Sequence, residues 1–255
     1  MFHVRDDGGV RWLTADYPGR RNAIPPAGWP LLRDALVDFD RSEARCLIIM
    51  GAGEDFCAGA DLGADLGSGG IAAATAMMAE VGAAATALHD VSKPVVAAVD
   101  GAAVGAGMNM ALGCDFAICA EGARFSEIFV KRGLTVDFGG TWLLPRRVGM
   151  GRAKELALTG RIVGAAEALT LGLVVEVVPR SHLVGRAAEI GASLAAGAPL
   201  AQRFIKRGLD RSFEMTFGQA LAYEDQAQAL LMSSEDVAEG VAAFLQKRDP
   251  DFKGR

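Results

Sequence analysis

The 255-residue chain is expected to fold as a layered α/β protein. Three observations lead there. Short runs rich in Val, Ile and Leu end in turn residues, alanine-rich helical stretches lie between them, and the pattern changes to helices alone after about residue 150. An apolar content of 51% is enough for one sizeable core, and 32 glycines punctuate the elements.

In chain order, VRWLTADY (10–17), RCLIIMG (45–51), PVVAAVDG (94–101) and DFAICAE (115–121) read as strands. Residues 28–40 and about 72–91 read as helices. The second, IAAATAMMAEVGAAATALHD, combines strong helix formers with apolar residues at three- to four-residue spacing. GRAKELALTG, AAEALTLG and SHLVGRAAEIGASLAAGAP follow as helices, the last with Ser181 as N-cap and Gly197 with Pro199 as its stop. APLAQRFIKRGLDRS, TFGQALAYEDQAQALLMS and SSEDVAEGVAAFLQKR complete the chain, the final one opening on an S-x-x-D/E cap signature. No linker, charge block or repeat divides the halves. The reading is a core over 1–195 and a helical region over 196–255.

A net charge of −5 argues against general binding of nucleic acid or of an anionic membrane. The apolar stretches are broken by Gly, Asp or Lys well before about 18 residues, so no transmembrane helix is expected. The start, MFHVRDDGGVRW, lacks the basic-then-apolar layout of a secretory signal. Cys46, Cys57, Cys114 and Cys119 show no CxxC spacing and sit mostly in apolar runs. Buried free thiols in a reducing cytoplasm are the expectation.

Two glycine-rich segments each follow a strand: GAGEDFCAGADL (51–62) and GAAVGAGMNMALGCD (101–115). The GxGxxG spacing of a dinucleotide site fails in both. Small residues there serve tight strand–helix packing, or they let main-chain N–H groups approach a ligand. Further on, GLTVDFGGTWLLP (133–145) sets Asp137 between a valine and a phenylalanine. By its neighbours alone, Asp137 suits a turn residue as well as a carboxylate kept dry for proton transfer.

Together, FCAGADL, KPVVAAVDGAAVGAGMNMALGCDFAICAEGARFS, RGLTVDFGGTWLLPRRVG and AKELALTGRIVGAAEALTLGLVVEVVP resemble, in order and spacing, the crotonase (enoyl-CoA hydratase/isomerase) superfamily. RRNAI near the start and GVAAFLQKRDPDF near the end extend the resemblance over nearly the whole chain. It implies a spiral of ββα units with a helical C-terminal region used for a homotrimer or dimer of trimers. It implies an acyl-CoA thioester as substrate, with no further cofactor because coenzyme A is part of that substrate. The enolate of the thioester would rest on the N–H groups of Ala60 and Ala106, the latter replacing a usual glycine. Ala23, Ala58, Asp61, Leu62, Gly105, Asn109, Phe129 and Val136 fall at substrate-binding positions.

The resemblance also marks two absences. Hydratases of this superfamily hold water between two glutamates, and this chain has Asn109 and Phe129 at those positions. Glu127 lies two residues early and is assigned a structural or surface role. GLTVDFGGTWLLPR most resembles the branch of 1,2-epoxyphenylacetyl-CoA and Δ3,Δ2-enoyl-CoA isomerases, in which the aspartate at the Asp137 position carries the proton. Val136, Phe138 and Trp142 would desolvate it and raise its pKa. The leading expectation is an isomerase. A hydratase with an unusual water site and a non-catalytic acyl-CoA-binding homologue are the alternatives. His89 is assigned to packing or the surface, Asp61 to anchoring its loop, and Arg20, Arg21 and Arg132 are candidates for the CoA phosphates. The acyl preference is assigned to segment 62–80 and the C-terminal helices.

Overall fold

The computed structural model describes residues 1–63 and 69–255. Its main sheet has the order β1-β2-β3-β4-β6-β9, comprising β1 (Phe2–Asp7), β2 (Val10–Ala15), β3 (Cys46–Gly51), β4 (Val95–Val99), β6 (Phe116–Ala120) and β9 (Glu176–Val178). All neighbours pair in parallel except β1 with β2. A second, smaller sheet of β5 (Ala102–Val104), β7 (Arg124–Ser126) and β8 (Val163–Gly164) lies at the exits of β4 and β6. Strand pairs followed by a helix repeat along the chain. Thus β4 and β5 lead into α3 (Ala106–Gly113), and β6 and β7 lead to α4 (Gly140–Val148).

Both faces of the main sheet are covered, which is why β3 and β4 read as continuous apolar runs. Alternate residues go to opposite sides. Leu47, Ile49, Val95, Ala97 and Val99 face α1 (Gly28–Arg41), whose Trp29, Leu32, Leu36 and Phe39 are fully buried. Ile48, Val96, Ala98 and Ile118 face α7 (Leu183–Ala195). Gly191 lets α7 approach, since a methyl there would lie 2.9 Å from Ile48.

Four sequence expectations are corrected. β1 was not foreseen; its residues are polar and mostly exposed, and it joins β2 through Gly8-Gly9, both at positive φ (57° and 83°), which suits a two-residue hairpin. Ser181 does not cap α7: residues 180–182 form a 3₁₀ turn, and His182 precedes the helix without a side-chain cap. Ser234 caps α10 (Glu235–Gln246) through Val237 N–H, one residue later than the S-x-x-D/E pattern. Asp236 instead accepts from the N–H groups of Lys253 and Gly254.

The fourth concerns α2 (Gly70–Asp90), 21 residues long and, despite Glu80 and Asp90, apolar enough by composition to cross a membrane. Its apolarity is largely alanine, and Val81, Ala84 and Leu88 form a single stripe packed into the core. Of segment 62–80, residues 70–80 belong to this helix and 64–68 lie outside the described residues.

The remaining helices are α5 (Met150–Thr159), α6 (Ala165–Leu171), α8 (Pro199–Asp210) and α9 (Phe217–Met232). α8 has no fully buried residue, and Ile205, Leu209, Phe213, Phe217 and Phe244 of the C-terminal region are exposed. α8 is pinned to the sheet by Lys206, which donates to Asp115 (3.0 Å) and to the Lys93 carbonyl (3.0 Å).

Lys93 in turn donates to the carbonyls of Phe39, Ser42 and Ala44 at 3.1, 2.6 and 2.9 Å, satisfying the C-terminal end of α1. Lys93→Met keeps the packing of the stem but leaves these carbonyls without their charged donor. A loss of roughly 2–3 kcal/mol is expected in urea unfolding.

Candidate active site

The loop after β3 and the entry to α3 meet through their backbones. Cys57 N–H donates to Ala102 O (2.8 Å), and Val104 N–H returns to Cys57 O (3.0 Å). Gly59 sits at φ +93°, and a methyl there would come 2.8 Å from Val104 O. A methyl at Gly107 would overlap the Cys57 carbonyl. Glycine is required at both places for the two main chains to close together.

The segment 20–24 completes this layer. Ile24 N–H donates to Gly59 O, Asp61 N–H to Ile24 O and Ala58 N–H to Arg21 O. The N–H groups of Ala60 and Ala106 make no hydrogen bond among the described residues. Ala106 opens α3, where the first N–H groups have no partner within the helix and the dipole favours negative charge. Gly105 at φ +56° sets that entry and is itself held to Ser126 O (2.8 Å). The Ala106 methyl is buried in the core, so replacing the superfamily's glycine leaves the N–H free.

Asp61 accepts from Gly63 N–H (2.9 Å) and from Arg20, and these bonds lower its pKa, the Gly63 bond most. It anchors the loop as expected and occupies Arg20. Arg21 lies 3.9 Å from Asp55, and Arg132 is exposed. Ala23 is buried, Ala58 half-buried and Leu62 exposed on the same layer.

Asp137 stands in the connection to α4. Phe138 adopts φ +49°, uncommon for a bulky residue, and Gly139 follows at +79°. The Phe138 ring holds this conformation, being buried against Trp29 with ring centroids 5.7 Å apart. Gly140 N–H closes the turn onto Asp137 O (2.9 Å). Burial pushes the Asp137 carboxyl up to about 6, and its Oδ1 meets no donor among the described residues. Val136 is half-buried beside it. Trp142, one turn into α4, stacks with Arg146 (3.6 Å) and meets the His89 ring edge-on (5.3 Å), which gives His89 a packing contact.

Asn109 and Glu127 change the expected picture. Asn109 is wholly buried, and Gly140 makes room for it, because a methyl there would overlap its amide. Its Nδ2 donates to Asp137 O at 2.9 Å and to Glu127 Oε2 at 3.4 Å. Glu127 is only 1% exposed, so of the structural or surface roles expected of it the surface one is excluded, and Asp137 is not the one carboxylate of the site. Burial raises its pKa to about 8, against the Asn109 hydrogen bond and with help from the Asp137 charge.

No sequence periodicity marks Glu127: it follows the three-residue β7, and Phe125, Ser126 and Glu127 are buried in succession, so strand parity does not single it out. Phe129 is buried, its ring against Gly105 under the Ala106 entry.

Beside Phe138 and Gly139 lies an apolar cavity of about 270 Å³ lined by Ala85, Leu88, His89, Trp142 and Leu143. Among the described residues, no group of three or more His, Cys, Asp or Glu side chains could hold a metal. Chemically, the assembled groups offer two free N–H donors for a developing oxyanion and two buried carboxyls able to exchange protons near neutrality.

This arrangement accords with the family. The sequence profile described as enoyl-CoA hydratase/isomerase matches residues 5–255, and the chain belongs to that family, within the crotonase superfamily. It is 40% identical over 251 residues to a protein named "Probable enoyl-CoA hydratase" from Rhodobacter capsulatus, covering 97% of this chain and 95% of the relative. It is 38% identical over 259 residues to 1,2-epoxyphenylacetyl-CoA isomerase of Escherichia coli K12, covering 100% and 98%. The crystal structure of an enoyl-CoA hydratase from Bacillus anthracis superposes with a TM-score of 0.95 at 33% identity, covering 100% and 99%. The fold is therefore the crotonase fold.

The raised pKa of Asp137 has a consequence for stability. Folding favours the neutral carboxyl, so its contribution is full below about pH 4 and is lost as pH rises through about 6. Asp137→Asn should match the wild type in urea unfolding at pH 4. At pH 7.5 it should be more stable by about 1–2 kcal/mol, after allowing for solvent screening of a half-buried group.

Proposed function

We propose that the chain is an acyl-CoA isomerase that moves a double bond through a thioester enolate. The observation that carries this reading is the half-buried Asp137 carboxyl, its pKa raised to about 6, on the segment joined by Asn109 to the helix whose first N–H has no partner among the described residues. In the resting site Asp137 is the base. It takes a proton from the carbon next to the thioester carbonyl, and the oxygen that becomes negative accepts from Ala60 and Ala106 N–H. A proton then returns at the far end of the allylic system, leaving a 2-enoyl thioester. The same groups suit isomerisation of an epoxide, the reaction in the name of the Escherichia coli relative.

The apolar cavity beside Phe138 would take the acyl chain or ring. The uncovered apolar side chains of α8, α9 and α10 support assembly as a homotrimer or a dimer of trimers; the net charge of −5 favours no nucleic-acid or anionic-membrane partner. The four buried free thiols suit a reducing compartment, and we assign the chain to the cytoplasm.

A second reading, hydration of a 2-enoyl-CoA, is favoured by one observation. Glu127 supplies a second buried carboxyl where none was expected. The two are separated by measuring 3-enoyl-CoA isomerisation against crotonyl-CoA hydration on the purified protein. The isomerase reading expects the first to be faster by at least about tenfold. Asp137→Asn should lower kcat by about 10²–10⁴ while the binding of a CoA ester stays within a few fold. Full activity in that variant would remove Asp137 from the mechanism. Tight binding without turnover of any enoyl or epoxy thioester would indicate a non-catalytic homologue.

A further inference from the structure

We propose that Glu127 is a second catalytic acid of this site, giving a proton to one substrate carbon while Asp137 takes a proton from the other. The inference rests on the isomerase reading above and adds a residue to it.

The geometry begins with Asn109. It lies three residues after Ala106 on α3, so both occupy one face of the helix, about 4.5 Å apart along its axis. That distance is of the order of the span from a thioester carbonyl to the far carbon of its allylic system. Through one amide nitrogen, Asn109 ties Glu127 and the Asp137 main chain to this face.

At this site three of the buried oxygens without a partner among the described residues come together on these segments: Asn109 Oδ1, Glu127 Oε1 and Asp137 Oδ1. All three accept and none donates unless a carboxyl carries a proton, so they cannot satisfy one another as two carboxylates and an amide. A buried carboxyl with one oxygen held and the other free is suited to carry that proton and give it up. The structural alternative, a glutamate that merely fills the core, would have both oxygens bonded.

The surroundings assign the protonation states. α3 presents only the neutral Asn109 to Glu127, the end of α5 presents Gly160 to its main chain, and the segment before α4 presents Asp137. No cation on these elements contributes to the Glu127 shift, and the nearby Asp137 charge favours its neutral form.

The cycle balances without any co-reactant. Asp137 carboxylate takes the proton from the carbon beside the thioester, and the electron pair moves to give a dienolate. Glu127 then gives its proton to the far carbon, and the neutral product forms. Asp137 is left protonated and Glu127 ionised. Between turnovers Asp137 releases its proton to solvent and Glu127, the more basic of the two, takes one up from solvent, and the site is restored.

The test uses a 3-enoyl-CoA carrying two deuterium atoms on C2. With two carriers, the hydrogen arriving at C4 comes from Glu127 and therefore from solvent. In Glu127→Gln, an isosteric change, Asp137 must return what it took. That variant is expected to lose about 10- to 100-fold in kcat, keep KM within about threefold, and show increased deuterium at C4. Unchanged kcat together with unchanged deuterium at C4 overturns the proposal.

A measurement on the wild type stands even if the variant does not fold. kcat should rise through about pH 6 as Asp137 ionises and fall through about pH 8 as Glu127 loses its proton. A profile flat to pH 9.5 overturns the proposal. If the wild type fails to isomerise the substrate at all, the isomerase reading itself falls, an outcome distinct from an active enzyme indifferent to Glu127.

Discussion

The site depends on a contact between two main chains with no side chain between them. The loop after β3 is fastened at Cys57 to both Ala102 and Val104, and Gly59 and Gly107 allow the backbones to close. Because the contact is made of peptide groups, it continues the hydrogen bonding of the sheet beyond the strand ends. It leaves two N–H groups without a partner among the described residues, one in a loop and one at a helix start. Donors held this rigidly need little reorganisation when negative charge develops. The rest of the site is arranged around this fixed pair.

The second layer is less regular and more strained. Phe138 is held at positive φ by its contact with Trp29, and Gly140 leaves space for a wholly buried amide. Asn109 is neutral, yet it joins the helix of the free N–H to both acidic residues. Where hydratases of the superfamily have a glutamate, an amide here acts as a connector. The two acidic residues it joins lie on two other segments.

The layered architecture was legible because each face of the main sheet is built on period two and each helix on a period near 3.6. Val95 and Val96 belong to opposite layers, and Val81, Ala84 and Leu88 to one helix stripe. Elements of two or three residues, such as β5, β7 and β8, carry too little pattern to be read. β1 was missed because an exposed edge strand has no apolar face. Asp137 was legible from its apolar neighbours once its position in the superfamily was considered. Glu127 was not, because it lies just beyond the three-residue β7, where Phe125, Ser126 and Glu127 are buried in succession and leave no alternation to read.

The three unpartnered oxygens also connect occupancy with endurance. Each is a polar group withdrawn from water with no protein donor, and each such deficit is a free-energy cost of the folded state. A bound molecule that brings donors to them offsets that cost in the native state alone and has no equivalent effect on the unfolded chain. Ligand binding and resistance to unfolding are then thermodynamically linked. A thermal melt of the protein with and without a CoA ester reads this linkage directly. A molecule bound there strengthens the fold at one of its weak points.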